Sequence, residues 1–175
     1  MTSLVVTLIG PDRPGMVSAL SDAATAHGAN WTDSLMANFA GQFAGIVQLD
    51  VPAGKCDALL AALRALESPG LLITVARAAG STTAAPTRRL TLELLGHDRP
   101  GIIHSISSQL AQHGVSIEKL QTHIASGAMS GEQMFHMNAQ LTVPRALDTD
   151  TLRNSLEGLA NELMVDISFA DGASA

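Results

Sequence analysis

The sequence predicts an α+β chain built from one small module written twice, each copy a four-stranded antiparallel sheet with two helices on one face. Three observations carry that prediction. First, Gly10-Pro11-Asp12-Arg13-Pro14-Gly15 returns as Gly96-His97-Asp98-Arg99-Pro100-Gly101, and the pair His27-Gly28 returns as His113-Gly114 at the same spacing of 86 residues. A fixed repeat means that one structural unit recurs. Second, across each copy of the repeated turn the hydrophobic period changes from two to nearly four, as it does where a strand hands over to a helix. Third, strand and helix patterns follow the order βαββαβ in both halves. That is the ferredoxin-like split βαβ arrangement, with expected strand order 4-1-3-2.

Taken in order, Leu4, Val6 and Leu8 alternate with Val5 and Thr7, while Leu90, Leu92 and Leu94 alternate with Thr91 and Glu93. Both read as strands with one buried face. After the turn, Val17, Leu20, Ala24 and His27 have helical spacing, matched by Ile103, Ile106, Leu110 and His113. Gly28 and Gly114 then stand where a helix ends in the left-handed region. Residues 30–39 and 43–51, separated by Gly41, read as a hairpin, and 116–125 with 133–143 form its copy. Val51-Pro52 recurs as Val143-Pro144, 92 residues on, so the second hairpin carries six extra residues, expected as a longer exposed loop between Ser126 and Glu132. Second helices follow on Leu59, Leu63 and Leu66, and on Leu152, Leu156, Leu159 and Leu163. Closing strands are expected at 71–77 and 165–169. The units are placed at 1–79 and 88–171, with an uncharged linker rich in Thr and Ala at 80–87.

Composition narrows the function classes. Ten Lys and Arg against sixteen Asp and Glu give a formal charge of −6, which repels phosphate backbones. There is no Tyr, one Trp and four Phe, too few platforms for stacking single-stranded bases. Direct nucleic-acid binding is not expected. Nor is a membrane span, since no apolar run reaches the required length, and the N-terminus carries no secretion signal pattern. One cysteine, Cys56, excludes an internal disulfide, fits a reducing cytoplasm and reads as a packing residue within a helix.

Few residues suggest catalysis. The six histidines match no metal-ligand spacing, and His27 and His113 suit a helix C-terminus, where the dipole favours them. Gly54-Lys55 lacks the rest of a phosphate loop. Asp33, Asp50, Asp57, Glu93 and Glu118 form no evident acid and base pair, and Met134 and Met137 read as strand packing. No cofactor, metal or enzymatic role is expected. The repeated turn is another matter. Asp12 and Asp98 read as helix caps, with Pro14 and Pro100 in the first helical turn. Gly15 and Gly101 would let a ligand approach the helix N-terminus, where backbone N–H groups attract a carboxylate. A capped turn with no ligand accounts for the Asp, Pro and Gly as well; Arg13 and Arg99 are less easily explained that way.

With G-x-D-R-P-G at the first strand-to-helix junction of a doubled βαββαβ unit, the chain resembles a tandem ACT-domain protein, and among these the family of the glycine cleavage system transcriptional repressor. That resemblance implies amino-acid binding between ACT units, glycine or serine being the first candidates. It assigns ligand contacts to Asp12, Arg13, Pro14, Gly15, Asp98, Arg99, Pro100 and Gly101, and to Asn30 on the second strand, where the other copy has Ser116. It further implies a cytoplasmic regulator acting through a protein partner such as a transcription activator. A stand-alone regulatory subunit of an amino-acid metabolic enzyme is the alternative. Unpaired sheet edges leave a homodimer open.

Overall fold

The computed structural model describes residues 1–78, 86–126 and 132–171. The chain divides into two compact units, Met1–Thr82 and Thr83–Ala175. Unit 1 runs β1 (Thr2–Pro11), α1 (Met16–Ala26), β2 (Asn30–Phe39), β3 (Gln42–Val51), α2 (Cys56–Ala65) and β4 (Leu72–Arg77). Unit 2 repeats the order with β5 (Thr87–His97), α3 (Ile102–Gln112), β6 (Ser116–Ser126), β7 (Gln133–Pro144), α4 (Thr149–Leu163) and β8 (Val165–Asp171). The sheets have orders β2-β3-β1-β4 and β6-β7-β5-β8, with every pairing antiparallel. This is the expected 4-1-3-2 order in both units.

Alternation on the central strands sets which face is covered. Leu4, Val6 and Leu8 lie in the unit 1 core with Leu20, Leu49, Leu59 and Leu63, while Leu90, Leu92 and Leu94 lie in the unit 2 core with Ile106, Leu141 and Leu156. Each such side chain contributes about 1.5–3 kcal/mol by leaving water. Cys56 is buried, Met137 is buried and Met134 is half-buried, as packing residues. Val17 and Ile103, read from spacing as inward-facing, are instead exposed at the start of their helices. Met16 and Ile102, one residue earlier, pack toward the cores.

Local irregularities repeat as faithfully as the regular elements. Both second strands shift register near their start, between Trp31 and Asp33 and between Ile117 and Lys119. Both first helices end identically: the N–H of Gly28 bonds Thr25 O and that of Ala29 bonds Ala24 O, as Gly114 and Val115 do with Ala111 and Leu110. The two glycines have φ of +67°, which only a residue without Cβ adopts freely. His27 Nδ1 lies 2.8 Å from Ala23 O in its own helix, whereas His113 Nε2 lies 3.0 Å from Ser155 Oγ on α4, so both residues end their helices but only His27 bonds locally. The longer second hairpin loop and most of the linker fall outside the described residues.

Candidate functional site

The Asp-Arg-Pro-Gly turns have almost the same backbone in both units. Gly15 has φ 91° and ψ 0°, and Gly101 has φ 94° and ψ −4°. Each glycine is itself the N-cap residue, and neither helix has a side-chain cap. This corrects the reading of Asp12 and Asp98 as caps and of Pro14 and Pro100 as first-turn residues, since the helices start at Met16 and Ile102. The reason is local: proline disfavours the helical region for the residue before it, so the helix does not begin at Arg13, and the chain turns at Pro14-Gly15 before α1 starts. The carbonyls of Gly15 and Gly101 accept from Ala19 N and Ser105 N at 2.9 Å, closing the first helical turn. The N–H groups of the residues in between have no intrahelical acceptor and face the turn.

Around that common backbone the units differ. In unit 1 the Asp12 carboxylate accepts from Asn38 Nδ2 at 2.6 Å, which fixes the turn to the end of the β2–β3 hairpin. The corresponding residue in unit 2 is Ile124, which has no amide to donate. Arg13 donates to Pro69 O at 3.2 Å, on the connection between α2 and β4, whereas Arg99 reaches Met164 Sδ at 3.8 Å. Residues 66–71 make the unit 1 connection, while in unit 2 Met164 alone, with φ 52°, joins α4 to β8. Gly10 is required by the longer connection: a Cβ there would lie 2.9 Å from Gly70 O.

Two clefts flank the unit 1 turn and share Arg13, Gly15 and Met16. One, of about 300 Å³, is bordered also by Asp12, Ser18 and Phe43. The other, of about 210 Å³, runs between α1 and the 66–71 connection and is walled mainly by hydrocarbon, including Leu66, Leu71 and Ile73. No atom stands within 4 Å of a Cβ built on Gly15, so this edge of the turn is open. The structure thus brings Asp12, Arg13, Pro14 and Gly15 together. It does not bring Asn30 to them in its own unit. Asn30 pairs with Asp50 near the opposite end of the sheet, eight residues along β2 from Asn38, or about 26 Å at strand spacing. Ser116, opposite Thr142, is likewise remote from Asp98.

Asn38, Ser18, Phe43 and the 66–71 connection escaped sequence reasoning. Pro69-Gly70 was the available signal, because it has no counterpart before Val165. Of the carboxylates considered for chemistry, Glu118 lies 3.2 Å from Arg89, Glu93 accepts from Asn138, and Asp50 accepts from Ser3. Among the described residues no three His, Cys, Asp or Glu converge as a metal site. No helix among them is long and apolar enough to cross a membrane.

The profile of the ACT domain matches residues 2–75 and 88–170. The chain belongs to the ACT-domain family. It is 23% identical over 164 residues to the glycine cleavage system transcriptional repressor of Escherichia coli (strain K12), an alignment spanning 91% of this chain and 85% of that protein. A crystal structure of a protein of unknown role from Galdieria sulphuraria superposes with TM-score 0.82 at 30% identity, covering 98% of this chain and 99% of the other. Another structure, provisionally described as a glycine cleavage system transcriptional repressor, gives 0.69 at 20% identity with 98% of each chain covered, a likeness of fold.

Proposed function

We propose that this tandem ACT protein is a cytoplasmic, non-enzymatic sensor of an amino acid, and that it controls transcription of amino-acid metabolic genes through a protein partner. The observation that carries this reading is the unit 1 turn: an open, left-handed Gly15 at a helix N-terminus, with Asp12, Arg13 and Ser18 around the adjoining cleft. The free N–H groups suit a carboxylate. The Asp12 carboxylate suits an ammonium group. Glycine cleavage control is the regulatory setting suggested by the Escherichia coli relative. The formal charge of −6 favours a DNA-binding activator as intermediary over direct contact with DNA.

A thermal-shift screen of the twenty amino acids tests the sensing step, because a ligand bound by the native state raises stability by about 2.7 kcal/mol at a hundred times its Kd. At least one should raise Tm in the parent protein and lose that effect in Gly15→Val. No shift by any amino acid contradicts the reading. Affinity purification from the native cell tests the output: a transcription factor supports it, and a metabolic enzyme replaces it with the regulatory-subunit alternative.

A further inference from the structure

We propose that the 210 Å³ cavity behind the first turn receives an aliphatic side chain, so that the unit 1 site selects leucine, isoleucine or methionine over glycine and serine. This rests on the amino-acid reading of the turn and specifies its ligand class. The cavity's walls include Leu8, Met16, Leu20, Leu66, Leu71 and Ile73, and its polar side chains are Arg13 and Ser68, the former at the turn itself. An apolar cavity of about 150 Å³ takes up a six-carbon ring, so this one has room for a four-carbon side chain. Glycine would leave it unfilled, and a basic side chain would lose water against a lining that holds no carboxylate. Charge is available only on the side where an amino acid carries its own: Arg13 and Gly15 are shared with the cleft that Asp12 borders.

The cavity follows from the length of the connection after α2. Residues 66–71 carry the chain away from the end of α2 before β4 begins, and Arg13 holds that connection through Pro69 O. In unit 2 the single residue Met164 takes its place, with Arg99 drawn onto the Met164 sulfur and Val165 packed where a Cβ on Gly96 would lie. Side-chain selection therefore belongs to unit 1.

Calorimetric titration of the full chain with glycine, serine, alanine, norvaline, leucine, isoleucine and methionine tests this. Affinity should rise about fourfold per methylene, so that leucine binds on the order of a hundred times more tightly than glycine. Ala19, half-buried on α1 at the cavity wall, is replaced by Phe; its counterpart Ser105→Phe in unit 2 serves as control. Ala19→Phe should reduce leucine affinity at least tenfold and leave glycine affinity near the parent value, while Ser105→Phe changes neither. Far-ultraviolet circular dichroism verifies that each variant is folded, and if Ala19→Phe is not, Leu71→Phe replaces it. Glycine or serine binding as tightly as leucine, or equal losses for leucine and glycine in the cavity variant, overturns the proposal while the sensor reading stands. Absence of binding by every amino acid removes both.

Discussion

The two units share a backbone to within a few degrees at their first turns, yet they surround those turns with different chemistry. Unit 1 ties its Asp12 to Asn38, holds a six-residue connection with Arg13 and borders an open apolar cleft; unit 2 has Ile124 and Met164 at the matching places. The outer sheet faces diverge in the same sense. In unit 1 Ile9, Leu35, Phe39, Ile46 and Leu72 are exposed on it, whereas the same positions in unit 2 include Gln121, Asn138 and Asp166, beside a stacked pair of His123 and His136 with ring centres 4.5 Å apart. A repeat preserves what the fold needs and frees what surrounds it. The turn glycines, the helix-ending glycines and the alternating apolar residues are kept because each has a backbone or burial reason; the exposed Asn38 beside the turn has none.

The largest expected effects come from the shared part. Leu59→Ala and Leu156→Ala each empty a fully buried position, and each should cost about 2–5 kcal/mol. Amide hydrogen exchange should show the loss concentrated in the unit that carries the substitution. Equal loss of protection across both sheets would mean that the units do not behave as separate cores. Next come Gly15→Val and Gly101→Val, which both force a branched residue to φ above 90° and should destabilise by at least about 1–2 kcal/mol each. Chemical denaturation is expected to give similar costs. Amino-acid affinity is expected to fall only for Gly15→Val, so a loss confined to Gly101→Val would reverse the assignment of the working unit.

Much of the fold was legible in the sequence because burial on one face leaves a period: Leu4, Val6 and Leu8 could belong to only one kind of element once the helix after Gly15 was recognised. The ends of α1 and α3 were legible too, since the left-handed residue that finishes them is glycine in both copies. The helix starts were misread. Asp followed by Pro fits a cap signature, but the conformation of Gly15 depends on how the Arg13-Pro14 segment meets the helix, and periodicity does not encode that. The cavity was invisible because it arises from the path of residues 66–71 in space. Asn38 was missed because its bond to Asp12 joins positions 26 apart that meet only through the hairpin.

Smaller effects sharpen the contrast further. Asn38→Ala should destabilise unit 1 by no more than about 1 kcal/mol, the net worth of an exposed side-chain hydrogen bond, and should weaken amino-acid binding severalfold by releasing Asp12. Ile124→Asn offers Asp98 the missing amide; in a crystal structure of the variant the new side chain should bond Asp98, and failure to do so would show that the hairpin end sits differently in unit 2. Helix starts differ as well. Asp148 caps α4 by accepting from Thr151 N at 2.9 Å, and this backbone bond, helped by the Thr151 hydroxyl, holds its carboxyl below the ordinary 3.8. Because the folded value is lowered, the cap stabilises above the unfolded value and is lost as pH falls through the folded one. The Tm difference between the parent and Asp148→Ala should persist from neutral pH down to about 5 and shrink below 3.8. A difference constant to pH 2 would contradict the cap.

The most direct measurement of the central claim, that one of two equivalent turns has become the ligand site, is a titration of the isotope-labelled protein with leucine, followed through backbone amide resonances. Gly15, Met16 and Val17 should shift progressively and saturate together, along with Leu71 on the cavity wall, while Gly101, Ile102 and Ile103 stay in place. Saturating shifts of equal size at both turns, or at the unit 2 turn alone, would contradict the account.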